Sequence, residues 1–480
     1  MTKYVNAHPD FQKYVKYWDR CRDCYKGEDA IKDKGAVYLP YLSEQENYEY
    51  NHYKDRALFL NTFFRTVTGL VGGAMRKPPL IEVPSSLEPF LDDIDMKGTS
   101  LNDYIRNTLV ELFITGRQTI VVDQHPTGRP YLTSYVAENF VNWHTEGMTP
   151  TFAVFCEEVD VIKEKFQHER VEQYRAYTME EDGVHSYVMR DIYDEETDSF
   201  EMQIIEDSVL TYRGMEFDVL PVTVINFKEC GFDLQEPPLL DLANVCLSHY
   251  RSSADLEHGR HFTALPQAYI TGVDPDEYNQ GIHVGSGTAW VIPNEQAKVG
   301  FLEFSGQGLG SLERALEQKE KMMAVLGARL LEGPKGVEAA ETARIRQNTE
   351  TSILGSMVQS VENGIQKSLE IMAKWEGSDP EEVKVSMNRD FIDVRLPYQE
   401  VIALVQSYQM GGISLDTLLH NLKQGEVIPH DVSIEEEMER ILAGQDEPEP
   451  YQQAMEGGQE ADLDRETQVE ENGAEESEAV

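Results

Sequence analysis

Residues 237–262 read PPLLDLANVCLSHYRSSADLEHGRHF, and the period of this stretch decides the fold class. The paired prolines Pro237 and Pro238 suit the first turn of a helix, where a missing N–H costs nothing, and they cannot lie inside one. Beyond them the helical period runs from Leu239 to about Phe262, which predicts one long helix. A Gly- and Pro-rich section follows, with short β-type runs at Ala268–Thr271, Ala289–Ile292 and Val299–Phe304, and reads as a small β insertion between two long helices. The second of those helices carries Leu309, Leu312, Leu316, Met323, Leu326 and Leu330 in a near-heptad stripe and turns at Gly333-Pro334-Lys335-Gly336. A third is expected from about Glu341 to Trp375, with Ile345, Leu354, Met357, Val358, Val361, Ile365, Leu369 and Met372 on its apolar side. A brief strand at Val383–Met387 and two or three shorter helices up to Leu442 close the folded part.

Upstream the texture alternates between helix and strand. Ala57, Leu60, Phe63, Phe64, Val67, Leu70, Val71 and Ala74 predict one amphipathic helix from Tyr53 to Met75, stopped by Pro78-Pro79. Ser100 is a good N-cap for a helix running through Leu101, Tyr104, Ile105, Leu109, Leu112 and Phe113 to Gly116. Directly after it, Gln118–Asp123 reads as a buried strand. Between Thr151 and Phe227 the runs Phe152–Cys156, Val171–Tyr177, Val184–Tyr193, Phe200–Glu206 and Leu220–Phe227 predict an antiparallel meander, with Asp182-Gly183 as one of its turns. The fold class is therefore α+β, and no internal repeat is evident.

The 480 residues hold 42 Lys plus Arg against 86 Asp plus Glu, a formal net charge of −44. Residues 445–480 carry 13 acidic residues and one basic, Arg465, and read as a solvated, disordered tail. Without that tail 41 basic residues still face 73 acidic ones, a balance of −32, so the acidity belongs to the whole chain. Tight, extensive capture of nucleic acid is excluded, because each phosphate contact needs a cation, while transient or sliding contact is not. No 18-residue uncharged apolar run and no secretory signal pattern are present, so a soluble protein made inside a cell is expected. The five cysteines fit reduced thiols, and Cys21 and Cys24 read as plain surface thiols because no second C-x-x-C or near His pair completes a zinc site.

Motifs of enzyme chemistry are missing: there is no P-loop, no G-x-S-x-G elbow and no H-E-x-x-H. Gly306-Gln307-Gly308-Leu309-Gly310-Ser311 follows a strand and opens a helix as a phosphate loop would. Ser311 stands at its third glycine position and no βαβ unit surrounds it, so a flexible start to a helix is the better reading. Asp255, His258 and His261, three residues apart with His249 nearby, could offer an O,N,N set to a metal. Steps of three drift around a helix, and the competing reading is a polar face turned to solvent or to a neighbouring subunit. Residues 311–346 hold seven basic residues (Arg314, Lys319, Lys321, Arg329, Lys335, Arg344 and Arg346) against six acidic ones, which stands out from −44. Either these form helix-face pairs such as Glu317 with Lys321, or Lys335, Arg344 and Arg346 touch a polyanion briefly.

Taken in order, the features resemble tailed-bacteriophage portal (head-tail connector) proteins, in the group defined by a phage domain of unknown function (DUF4055-like). The resemblance spans residues 38–443. Its residues begin with Tyr38-Leu39-Pro40, Asn61, Arg76-Lys77-Pro78-Pro79, and Gly116-Arg117 ahead of Val121-Val122-Asp123, and pass through Arg129-Pro130-Tyr131, Ala137-Glu138-Asn139 and Asn142-Trp143. They continue with Pro238-Leu239-Leu240-Asp241-Leu242-Ala243, the run from His249 through Tyr250, Arg251, Ser252, Ser253 and Ala254 to Asp255, then His258, His261-Phe262 and Leu265-Pro266. They end with Leu302-Glu303-Phe304-Ser305-Gly306-Gln307-Gly308 and Glu341-Thr342-Ala343-Arg344. No single piece is diagnostic; the order and spacing are.

The resemblance implies a ring of about twelve identical subunits at one vertex of a phage head, around the channel through which double-stranded DNA enters and leaves. It implies a helical arm over 1–80, a mixed α/β wing over 81–235, a stem helix over 236–265 and a β clip over 266–306. Stem and tunnel helices with their loop would occupy 307–377, a helical crown 378–443 and the acidic tail 444–480. Implied partners are the terminase large subunit, the major capsid or scaffold protein and a head-completion or tail adaptor protein, with no membrane. Lys335, Arg344 and Arg346 would contact DNA in the channel, and Asp255, His258 and His261 would lie at a subunit interface or in the channel lining. No cofactor and no catalysis are expected, ATP hydrolysis being left to the terminase. The competing classes are an intracellular metal-dependent α/β enzyme and an acidic scaffold or adaptor protein.

Overall fold

The computed structural model describes residues 6–125, 127–147, 149–194, 199–212, 215–217, 219–264, 267–272, 296–302, 308–327, 340–389, 391, 398–424, 427–428 and 432–445. The chain divides into two compact units, Met1–Phe391 and Ile392–Val480.

The first unit opens with four helices: α1 (Pro9–Lys26), α2 (Glu28–Asp33), α3 (Asn47–Arg56) and α4 (Thr62–Ala74). Pro9 sits at the first position of α1, with the His8 ring accepting a hydrogen bond from the Asp10 N–H. The α1 face that carries Phe11, Trp18, Cys21 and Cys24 is buried. Both cysteines have no exposed surface, so the expectation of surface thiols is wrong; burial pushes the Cys21 thiol up to about 12. The single helix expected from Tyr53 to Met75 is two. Ala57 turns to extended backbone, and the Asn61 side chain accepts from the Phe64 N–H at 2.9 Å, restarting the helix as an N-cap.

After the short strand β1 (Leu80–Glu82) comes α5 (Leu101–Thr115), capped by Ser100 as its sequence predicts and ended by Gly116 in the left-handed conformation at φ +78. A Cβ at Gly116 would also meet Pro238 Cδ at 3.1 Å, so the turn that ends α5 abuts the proline pair. Strands β2 (Arg117–Gln124), β3 (Pro130–Val136), β4 (Phe140–Glu146), β5 (Thr149–Glu164), β6 (Gln167–Glu180), β7 (Gly183–Asp194), β8 (Ser199–Val209), β9 (Thr211–Tyr212), β10 (Met215–Glu216) and β11 (Val222–Asn226) follow. β5 to β8 form the expected antiparallel meander in sequence order, β4 joins it ahead of β5 as a strand that the sequence reading does not include, and β9 pairs with β10. The run read as its last strand does not join it: β11 pairs with β2, Val222 opposite Val121 and Asn226 opposite Arg117, in a separate sheet of order β11-β2-β3. All five residues of β11 are buried, which a one-sided meander strand would not allow. Asp123 of β2 ties this sheet to the meander, accepting from Tyr177 Oη at 3.1 Å, while the Arg175 Nε of β6 donates to Glu157 Oε1 of β5 at 3.1 Å.

The rest of the first unit comprises α6 (Leu240–Ala264), β12 (Gln267–Thr271), β13 (Lys298–Leu302), α7 (Leu309–Leu326), α8 (Ala340–Glu376) and β14 (Lys384–Ser386). β12 and β13 pair antiparallel; the run expected at Ala289–Ile292 lies outside the described residues. α8 covers the three-stranded sheet with Val358, Val361, Ile365, Leu369 and Met372 buried, and a Cβ on its Gly364 would stand 2.4 Å from the Ile225 side chain. That glycine sets how closely helix and sheet approach. β14 returns to pair with β1, Leu80 opposite Ser386.

The second unit holds α9 (Tyr398–Gln409), α10 (Leu415–Gln424) and α11 (Ile434–Gln445), with Leu419, Ile428 and Val432 packed against Leu422, Met438 and Ile441. Among the described residues no helix is long and apolar enough to cross a membrane.

Candidate functional site

The stretch that decided the fold also builds a polar interhelical surface. α6 and α7 run antiparallel, because contacts rise along one as they fall along the other: Cys246 Sγ meets Met323 Sδ at 3.5 Å, Lys319 Nζ reaches Ser252 Oγ at 2.5 Å, and Arg260 Nη2 donates to Glu313 Oε1 at 2.9 Å. Lys319 also donates to the Ser248 carbonyl at 2.9 Å, and burial lowers its pKa. His249, 6% exposed at its side chain, stands 3.5 Å from Glu320 and is held below the ordinary histidine value by burial. Near the other end a Cβ on Gly259 would meet Leu309 Cδ2 at 2.7 Å, so the two helices close tightly there.

On its other side α6 packs against α3. The Tyr53 hydroxyl donates to Asp255 Oδ1 at 2.6 Å, and burial followed by that bond raises the tyrosine pKa. His258 lies edge-on to Tyr53, centroids 5.2 Å apart, and to Phe262 at 4.7 Å, with its Nδ1 buried and without a partner. Burial, then the Arg56 guanidinium and His261, keep His258 below the ordinary value. His261 Nε2 is 3.2 Å from Arg56 Nη2, an arrangement that makes the ring nitrogen the acceptor. Each member of the trio therefore faces a group on α3.

The three do not converge on a common point. Among the described residues only Glu180, Asp182 and His185 offer ligand atoms close enough together for a metal, so the O,N,N set read from the three-residue spacing is not assembled. Tyr53 and Arg56 are the residues that sequence reasoning missed. They lie 202 and 205 positions from their partners, and no local pattern signals such pairings.

Of the basic stretch, Lys335 lies outside the described residues, and Arg344 and Arg346 stand in the first turns of α8. The expected Glu317–Lys321 pair is not among the ion pairs of the described residues, whereas Lys319 and Arg314 are held by α6 and by the Gly310 carbonyl. α7 buries only Met323; Met322, Val325 and Leu326 are 52%, 43% and 36% exposed.

Residues 238–376, from the start of α6 to the end of α8, match the family described as a domain of unknown function (DUF4055). No curated protein sequence matches the chain. Three solved chains are similar over most of their length. One comes from the virion of a native gene transfer agent particle (12% identity, 75% of this chain and 89% of that one, TM-score 0.39). The second is from the neck of an empty gene transfer agent particle computed with C6 symmetry (11%, 74% and 87%, TM-score 0.41). The third is from the neck of a native particle computed with C12 symmetry (11%, 75% and 89%, TM-score 0.34). Scores this low leave the assignment of function to the residues themselves.

Proposed function

We propose that the protein is a phage portal subunit, one of about twelve that form the ring-shaped DNA channel at a single capsid vertex. The observation that carries the reading is α7: one side seats on α6, and the stripe of Met322, Val325 and Leu326 is left open to solvent. A helix with that pattern is complete only when another surface covers its apolar stripe, and in a ring the neighbouring subunit does so. The sequence resemblance over residues 38–443 supports the same reading.

In this account 81–235 is the wing, 236–265 with 307–377 the stem and tunnel wall, 266–306 the clip that meets the terminase large subunit and later the tail adaptor, and 378–443 the crown. The arm over 1–80 and the acidic tail over 444–480 complete the subunit. The ring seeds the head together with the capsid or scaffold protein, in the host cytoplasm, and stays in the virion. It has no catalytic step of its own; ATP hydrolysis belongs to the terminase. A chain with a net charge of −44 suits a channel that passes DNA without holding it, since conduction needs contacts weak enough to release. Lys335, Arg344 and Arg346 supply the brief contacts, and Asp255, His258 and His261 lie beside the subunit interface or channel lining.

Negative-stain images of the purified protein should show closed rings with a central opening, and V325E/L326E should leave single chains. Images of the native protein without rings count against the proposal. In assembled particles K335E/R344E should change DNA retention or packaging yield; unchanged values would remove those residues from the channel contact.

A further inference from the structure

Among the described residues the five-stranded sheet leaves two surfaces largely open to solvent. The first is the far end of the β5–β6 hairpin. β4 accompanies β5 only as far as Phe155, and β7 accompanies β6 only from Tyr174, so among the described residues 157–173 form a ribbon of two strands. At its turn Phe166 adopts φ +75, a conformation that costs a side-chain-bearing residue strain and that glycine takes freely. Its ring is nevertheless 86% exposed, Ile162 beside it is 67% exposed, and the Lys165 ammonium lies 5.4 Å from the ring centroid. The ring belongs to none of the hydrophobic clusters of the described residues. Lys165 and His168 are exposed and make no ion pair among the described residues.

The second surface is β8, the last strand of the sheet, with one edge unpaired. Ile204, Ile205 and Val209 are 59%, 44% and 39% exposed, and a bulge between the Val188 and Met189 pairs breaks the ladder at Ile205. Glu201 and Glu206 stand exposed along the same strand without an ion pair among the described residues. Long open edges of this kind are ordinarily blunted by lysine, proline, a bulge or a covering segment; β8 has no lysine or proline, and among the described residues no strand pairs with its outer edge, which leaves the bulge at Ile205 as its one interruption.

We infer that the β5–β6 tip of one copy docks on the β8 edge of the next, Phe166 and Ile162 against Ile204 and Ile205, with Lys165 and His168 facing Glu201 and Glu206. The occupant is a second copy because the two patches are complementary in charge and both apolar, and every chain carries one of each. Such a pair is head-to-tail, the kind of contact that closes into a ring. The inference rests on the ring reading above and adds to it a contact through the wing.

The test compares the assembled fraction of the native chain, F166S, K165E, E206K and the double variant K165E/E206K at one concentration by light scattering. Native rings are expected, with the assembled fraction at least tenfold lower in F166S, lower in each single charge reversal, and restored in the double variant, a rescue that misfolding cannot mimic. If the native chain forms rings and F166S and K165E stay within twofold of it, the inference falls while the ring reading stands; the same holds if rings are unchanged and the tip binds only purified coat protein. If the native chain is single at every concentration, both fall.

Discussion

Replacing Arg22 by Met should destabilise the first unit strongly, because Arg22 is the centre of a largely buried charge cluster. Its Nη1 and Nη2 donate to Glu111 at 2.8 and 2.7 Å, and its Nε and Nη2 to Glu138 at 2.9 and 2.9 Å, joining α1 to α5 and to the turn before β4. The three side chains are 16%, 17% and 15% exposed. Burial alone would lower the guanidinium pKa, but the bonds to Glu111 and Glu138 outweigh it and raise it, so the arginine stays charged. Methionine fills a similar volume and leaves two carboxylates side by side without their cation; breaking a buried pair from one side costs about 3–5 kcal/mol. R22K keeps the charge and loses the two-pronged geometry, so a loss of about half that size is expected. Urea unfolding of native, R22M and R22K proteins under conditions of equal assembly reads the differences. A loss below about 1 kcal/mol for R22M would refute the reasoning, since it would mean that water already screens the cluster as it screens a surface pair.

Three more outcomes follow from the same structure. Burial holds His258 below the ordinary histidine value of 6.5, so the stability of the α3–α6 contact is full above that value and lost as pH falls through the lowered folded-state pKa; H258N should lose less melting temperature between about pH 7 and pH 5 than the native chain, and an equal loss would assign the effect to other groups. G364A should destabilise by about 1–3 kcal/mol, because the new Cβ would press on Ile225 across the α8–sheet contact, and a variant as stable as the native chain would show that this contact gives freely. Burial pushes all five thiols up, but only Cys156 and Cys230 keep some exposed surface while Cys21, Cys24 and Cys246 are buried, so a thiol reagent should label only Cys156 and Cys230 before denaturation; labelling of Cys21 in the folded protein would contradict the packing of α1.

What the sequence makes legible is what a local period or a cap can encode. Ser100 and Gly116 bracket α5, the proline pair opens α6, and the alternating runs between Thr151 and Glu206 become β5 to β8. Pairing partners are not local. Nothing near Leu80 says that it meets Ser386, and the buried run Val222–Asn226 looks like one more strand of the meander until the partner on β2 is known. The gap between α3 and α4 hid behind an apolar period that continues through Ala57 and Leu60, and only the capping role of Asn61 marks the break. The site divides in the same way. The face of α6 that carries Asp255, His258 and His261 can be read from their spacing, but what they face depends on Tyr53 and Arg56, and the tally of cations in 311–346 does not tell that Lys319 is spent on the α6 backbone.

The mass of the native protein in solution, taken by light scattering behind size exclusion, tests the central claim most directly. The account predicts a particle of about twelve chains of 54.6 kDa, roughly 655 kDa, held together in part by the open face of α7. A single species of 54.6 kDa at every concentration, with α7 still presenting Met322, Val325 and Leu326 to solvent, would contradict it.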